Sequence, residues 1–325
     1  MKLPRRNFLH LAAGAVALLA TSRIAWAQAY PMRPVRLIVP IAPGGASDIT
    51  ARLIGQWLSE RLGQPFIIEN RPGGGNNIGT EAVVRAPADG YTLLLCGITN
   101  ATNATIYDKL NFDFIRDIAP VAGISHGPFV MVVNPSVPAK SLPEFIAYAK
   151  ANPGKISMAS SGIGAATHLA GELFKMMAVI DMVHVPYRGG GPAVTDLIAG
   201  QVQVYFASTV ASIQYIRAGR LRALAVTAAM RSDALPDIPT VGEFLPGYEA
   251  STWYGVGAPK ATPAEIVEKL NKEINAGLAD AKIKARLLDL GGDVLALSPT
   301  DFGKLIADET EKWAKVVKFA NIKAE

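Results

Sequence analysis

A single cysteine, Cys96, in a chain of 325 residues excludes an internal disulfide and any multi-cysteine zinc site. It lies in the apolar run YTLLLC and reads as a small buried residue. Charge is scarce, at 18% of residues against 50% hydrophobic, so the chain can bury one or two sizeable cores and is neither disordered nor fibrous. Outside the N-terminus no stretch approaches the about 20 consecutive apolar residues of a membrane span. Catalytic signatures are missing too. There is no G-x-S-x-G elbow, no G-x-x-x-x-G-K-S/T phosphate loop and no H-E-x-x-H, and GGGNNIG does not fit the spacing of a dinucleotide fingerprint.

Residues 1 to 27 start basic (Lys2, Arg5, Arg6), pass through LHLAAGAVALLA and end at Ala25-Trp26-Ala27, the pattern of an export signal cleaved after about Ala27. PRRNFLHL is similar to a twin-arginine signal without its usual Ser or Thr, so general secretory export stays open, as does a retained anchor helix. Removing Lys2, Arg5, Arg6 and Arg23 from the 32 basic residues leaves 28 against 27 acidic ones, so the net charge of +5 is no argument for nucleic acid or a membrane surface. No cysteine follows the signal to carry a lipid. The expectation is a soluble, monomeric periplasmic protein that is not a lipoprotein.

What the chain has in quantity is one joint, repeated. VRLIVPI (35 to 41) runs into Ala42-Pro43-Gly44-Gly45 and a helix predicted over 46 to 62, whose start Ser47 or Asp48 could cap. FIIEN (66 to 70) runs into RPGGGNN, which includes Gly75 and Asn76, and a helix from Gly79. KISMA (155 to 159) meets Ser160-Ser161-Gly162-Ile163-Gly164 and AATHLAGELFKMM, and MVHVPY (182 to 187) meets Arg188-Gly189-Gly190-Gly191-Pro192 and AVTDLIAG. Strands alternating with helices indicate parallel sheets, whose ligands sit at the carboxyl ends of the strands. Glycine there admits a ligand to the backbone, and a helix start offers unpaired N–H groups and partial positive charge. Each turn alone is as well explained by a tight connection; four together point to a shared anion pocket.

Ser160, Ser161 and Thr167 read either as hydroxyl donors to a carboxylate or as turn formers, and the same choice holds for Ser208 with Thr209 and for Thr99 with Asn100. His168 and Glu172 stand four apart on a helix, too few ligands for a tight metal site. His184 reads as structural, His126 is undecided, and Arg188 could pair with a ligand or stay at the rim. Trp253 and Tyr254 read as core, and EIVEKLNKEINAGL and FGKLIADETEKWAKVVKFA as two amphipathic surface helices.

Taken together, YPMRPVRLIVPIAPGGASDITAR, IENRPGGGNNIGTEAVVRAPADGYTLL, ASSGIGAATHLAGELF, HVPYRGGGPAVTDLIAGQVQVYF, RLRALAVT and WYGVGAPKATP make the chain resemble the periplasmic solute-binding proteins of tripartite tricarboxylate transporters, the Bug family. The resemblance implies a two-lobed α/β fold of the periplasmic-binding-protein type, each lobe a mostly parallel sheet flanked by helices. Lobe 1 would comprise 28–126 and 251–325, lobe 2 127–250, with a carboxylate-bearing solute in the cleft between them. It implies ligand contacts at Pro43, Gly44 and Gly45 and a distal carboxylate site at Ser160, Ser161, Gly162 and Thr167, with Gly189 and Gly190 nearby. Asp48, Gly75, Asn76, Thr99 and Ser208 complete the candidate set. Where the family commonly has an acidic residue after the Phe of V-x-x-x-F, this chain has Ala207, so an amine on the ligand would lack a partner; the usual Lys of V-P-Y-K-G is Arg188. The expected partners are a di- or tricarboxylate, or an aromatic carboxylate, and the permease subunits of a tripartite transporter. No catalytic residue, cofactor or metal is expected. Two other readings remain open: an exported hydrolase or isomerase using Ser161 or Ser208 with His168, and a ligand sensor for a two-component kinase.

Overall fold

A computed structural model describes residues 30–232 and 234–324 of the chain. The export signal expected over residues 1 to 27 lies outside the described residues.

The first half is built as the repeated joint predicts. The β-branched run β1 (Val35–Val39) pairs in parallel with β2 (Phe66–Asn70) and β3 (Thr92–Gly97). The crossovers are α1 (Ala46–Leu62), which buries Ala51, Ile54 and Leu58 and stops at Gly63 in the left-handed conformation, and α2 (Asn77–Val84). The helix α3 (Ile98–Ile106) leaves directly from β3, and a single turn, α4 (Phe114–Asp117), leads into the 16-residue strand β4 (Ile118–Val133).

The second half repeats the scheme. α5 (Leu142–Ala151) precedes β5 (Ser157–Ser160), then α6 (Ala166–Ala178), β6 (Val183–Pro186), α7 (Gly190–Ile198), β7 (Val204–Ser208), α8 (Thr209–Arg217) and β8 (Arg222–Val226). α7 begins at Gly190, so two glycines expected in the turn form its first residues instead. The chain returns through β9 (Ser251–Pro259), α9 (Ala264–Ala279), α10 (Ala281–Asp289), β10 (Asp293–Val294) and α11 (Pro299–Phe319).

The ten strands found among the described residues run β2-β1-β3-β9-β4-β7-β5-β6, with β8 and β10 also paired to β4. Parallel pairs lie to either side and antiparallel strands join them. β4 changes partner along its length, pairing β9 up to Pro128 and then β7 and β8 from Phe129 onward. The largest hydrophobic cluster takes Ile38 and Leu94 from one side and Phe145 and Phe206 from the other. Trp253 and Phe302 pack edge to face at its centre, 5.7 Å between ring centroids. α11 is therefore more than a surface helix, since Phe302 and Trp313 are both fully buried. No helix among the described residues is long and apolar enough to cross a membrane.

Candidate functional site

The carboxyl ends of the strands open on a cavity of about 370 Å³. Six helices begin on it. Ala46 and Ser47 open α1, Asn76 precedes α2, Gly97 and Thr99 lie at the start of α3, Ala165 and Thr167 at that of α6, Gly190 at that of α7, and Ser208 caps α8. Of the residues preceding these six helices only Ser208 makes a side-chain cap; Gly45, Asn76, Gly97, Ala165 and Gly189 make none, so five helix starts keep donors for something else. His126 is the one Lys, Arg, His, Asp or Glu among the lining residues, so helix starts and hydroxyls are what the cavity offers an anion. Ile41, Leu95, Ile98, Phe129, Leu287 and Leu290 supply apolar wall.

The hydroxyls are organised. Thr167 Oγ1 accepts the Ser161 N–H at 2.9 Å and lies 2.9 Å from Ser161 Oγ, tying the turn after β5 to the first turn of α6. Tyr205, beside Thr167, has its phenol pushed up to about 12, because burial outweighs the Thr167 contact. Burial also raises Tyr254, against the opposing effect of Thr252 and Ser47. Both phenols therefore stay protonated near neutral pH and keep a proton to donate.

Of the expected residues, Asn76, Thr99, Ser161, Thr167, Gly190 and Ser208 line this cavity. Gly75 and Gly162 instead line an adjoining cavity of about 490 Å³, with Tyr107, Tyr187 and Arg188; Thr99 lines both. Pro43, Gly44 and Gly45 form an exposed loop at the head of α1, outside the lining residues, and Gly44 adopts φ +92°, which disfavours any side chain there. Asp48 is 2% exposed and braces that loop. Its carboxylate accepts from the Gly44 N–H at 2.9 Å, from Asn70 at 2.9 Å and from Arg52 at 3.0 and 3.1 Å. Burial raises its pKa, but these bonds prevail and hold it down at about 2. Ser160 is fully buried, its hydroxyl spent on Gly162 N–H and, at 2.6 Å, His184 Nε2. Gly189 caps α7 and donates to Ser161 O at 3.1 Å without lining the cavity.

Trp253 is core as read, but Tyr254 faces the cavity. Ser47, read only as a possible helix cap, and His126, left undecided, also line it, as do Ser125, Tyr205, Thr252 and the Gly291-Gly292 turn, which were not singled out. The hydroxyl-bearing pairs flanking the crossing strands were the available signal. Ala207 is fully buried opposite Val130, so no carboxylate is supplied from its position.

The geometry does not assemble a serine hydrolase. His168 Nδ1 takes the Gly164 N–H at 3.0 Å, while Ser161 bonds Thr167 and Ser208 caps α8. The serine that does meet a histidine, Ser160, is inaccessible to a substrate. Among the described residues no group of three or more His, Cys, Asp and Glu is placed to hold a metal ion.

The family model described as Tripartite tricarboxylate transporter family receptor matches residues 50–322. Protein BugT of Bordetella pertussis is 37% identical over 318 residues, covering 96% of this chain and 98% of BugT. A protein of Pseudomonas sp. strain P51, described as a UPF0065 protein in the tcbD-tcbE intergenic region, is 39% identical over 93% of this chain and 91% of its own length. Among solved structures, an R. palustris protein with adipate superposes with a TM-score of 0.78 at 38% identity, covering 90% of this chain and 99% of that one. MatC from Rhodopseudomonas palustris with bound malate gives 0.75 at 32% identity, covering 89% and 100%.

Proposed function

We propose, from the premise that this chain belongs to the tripartite tricarboxylate transporter receptor family and is a solute receptor rather than an enzyme, that it captures a small carboxylate in the cavity described above. The captured solute would be a di- or tricarboxylate or an aromatic carboxylate, delivered by the protein to the permease subunits of a tripartite transporter. The observation that carries this reading is the convergence of six helix starts, five of them without a side-chain cap, on one cavity lined by no Lys or Arg. An isolated exposed helix end is worth about 0.3–1 kcal/mol to an anion, whereas micromolar binding takes about 8 kcal/mol, so convergence and exclusion of water are both required. The apolar wall suits the carbon skeleton, and the missing acid at Ala207 argues against an amine-bearing solute.

The two-lobe division, 28–126 with 251–325 against 127–250, is part of the proposal; the change of β4 partner after Pro128 supports it. Periplasmic placement, as a monomer, rests on the leader pattern of residues 1 to 27 and on the family.

The test is thermal unfolding with adipate, malate, citrate and benzoate, and with lysine as an amine control. A carboxylate present at 100 times its Kd stabilises the folded protein by about 2.7 kcal/mol and raises Tm accordingly. No shift with any carboxylate at millimolar concentration defeats the reading.

Gly45 stays in the proposed contact set because it caps α1, whose next residues line the cavity. A Cβ built there meets nothing within 4 Å, so Gly45→Val should fold normally. It should weaken the carboxylate by at least roughly tenfold, about 1.4 kcal/mol, by placing a branched side chain at the donor end of the helix. Calorimetry showing unchanged affinity removes Gly45 from the site.

A further inference from the structure

Behind the cavity, on the far side of the turn after β5, lies a buried group of ionisable side chains that ligand contact does not account for. His168 on α6 and His184 on β6 stack face to face, 3.6 Å between ring centroids and 8° from parallel. Each ring holds one end of the turn. His184 Nε2 lies 2.6 Å from Ser160 Oγ, and His168 Nδ1 accepts the Gly164 N–H at 3.0 Å. Between those two anchors sits Ser161, and directly after them Ala165 and Thr167, all three of which line the cavity.

We propose that His168 and His184 are positioning residues: their ring nitrogens, Nδ1 of an uncharged His168 on Gly164 and Nε2 of His184 on Ser160, hold the 160–165 turn in the shape that meets the anion, and a proton entering at His168 Nδ1 releases it. This rests on the carboxylate reading of the cavity.

The hydrogen bonding requires an uncharged His168. A backbone N–H can only donate, so His168 Nδ1 must be a lone pair and its ring proton must sit on Nε2, which faces Glu172 Oε1 at 3.6 Å. An imidazolium would set N–H against N–H at Gly164 and break the anchor. The surrounding charges are known from each packed element. Glu172 on α6 is 2% exposed and already engaged by Lys175 at 2.9 Å, which leaves it a weaker counter-ion for His168. Asp181 before β6 and Lys323 after α11 complete the charges around the adjacent hollow. Burial, and then the proximity of His168, holds His184 down at about 4, so the stack resists carrying two protons. Protonation therefore competes with the turn geometry, and affinity falls as pH falls.

Two substitutions separate this from simple packing. His168→Asn keeps an acceptor near Nδ1 that does not titrate, whereas His168→Phe keeps the stack and removes the acceptor. Hydrogen exchange of residues 160–165, corrected for intrinsic rates, and adipate titration calorimetry are run at about pH 7.5 and about pH 4.5. At the higher pH, His168→Phe should exchange roughly tenfold faster in this segment and bind adipate roughly tenfold more weakly, while His168→Asn behaves as wild type. At the lower pH the wild-type segment should loosen to the same degree and His168→Asn should not. Identical exchange in all three proteins at both pH values, or His168→Phe and His168→Asn behaving alike, overturns the proposal. If His168→Phe does not fold, the wild-type and His168→Asn comparison across pH decides. Exchange that follows the expected pattern without adipate binding faults the ligand class and leaves the positioning role standing; adipate binding equal in all variants, with unchanged exchange, does the reverse.

Discussion

Replacing Thr167 with valine is expected to weaken carboxylate binding by about 2–3 kcal/mol, roughly 30- to 140-fold. Valine matches threonine in shape but lacks the oxygen. At this position the oxygen accepts the Ser161 N–H, meets the Ser161 hydroxyl at 2.9 Å and stands beside the Tyr205 phenol. One substitution therefore removes a hydroxyl that can turn toward the ligand and leaves Ser161 and Tyr205 without the partner that orients them. Hydrogen bonds to a charged group are worth about 1.5–3 kcal/mol, and a group left unpaired adds a cost of its own. Thr167 is 7% exposed and its oxygen is the acceptor of the Ser161 N–H, so the unliganded protein should also lose about 1–3 kcal/mol of stability, and affinity is compared at a temperature where the variant is folded. The measurement is titration calorimetry with the carboxylate that gives the largest thermal shift, alongside an unliganded melt. Wild-type affinity in a normally folded Thr167→Val protein would remove this hydroxyl cluster from the site.

Gly255→Ala should cost stability instead, by about 3 kcal/mol, and lower Tm by roughly 5–10 °C. Gly255 lies on β9, and a Cβ built there comes within 2.6 Å of the Ala122 carbonyl oxygen and closer still to the Phe302 ring. The first contact is backbone across the β4–β9 ladder, which relaxes poorly; the second is a ring already fixed against Trp253. Accommodating the methyl group means lifting α11 or parting the two strands. Gly45→Ala is the control, because no atom lies within 4 Å of the added carbon and φ is −81°, so its melt should match wild type. A Gly255→Ala protein that melts with the control would mean that this packing is looser than the contacts imply.

These two sites differ in how legible they were. Thr167 follows a strand, a glycine turn and a helix start, and that order alone puts it at the carboxyl end of a parallel sheet, where ligands collect. Asn76, Thr99, Ser161, Gly190 and Ser208 reach the cavity for the same reason. Asp48 and Ser160 sit at equivalent joints yet brace the fold, because their partners, Asn70 and His184, come from strands distant in sequence. Local spacing carries no information about such pairs. Tyr205 and Ser125 were missed, Tyr254 was read as core and His126 was left undecided because all four lie within strands, where alternation divides one face from the other without saying which face opens on a cleft. α10 was missed because its sequence, AKIKARLLD, buries only Ile283 and Leu287.

The strand β4 has a consequence for how the molecule comes apart. One uninterrupted backbone supplies ladder partners first to β9 and then to β7 and β8, and the largest apolar cluster draws on both sides of it. Neither half can melt without stripping hydrogen bonds and buried surface from the other, so calorimetry is expected to show a single cooperative transition rather than two. The same continuity means that relative motion of the halves must be taken up as twist in a ribbon, at its register shifts near Gly123 and Met131, rather than as the swing of a loose linker.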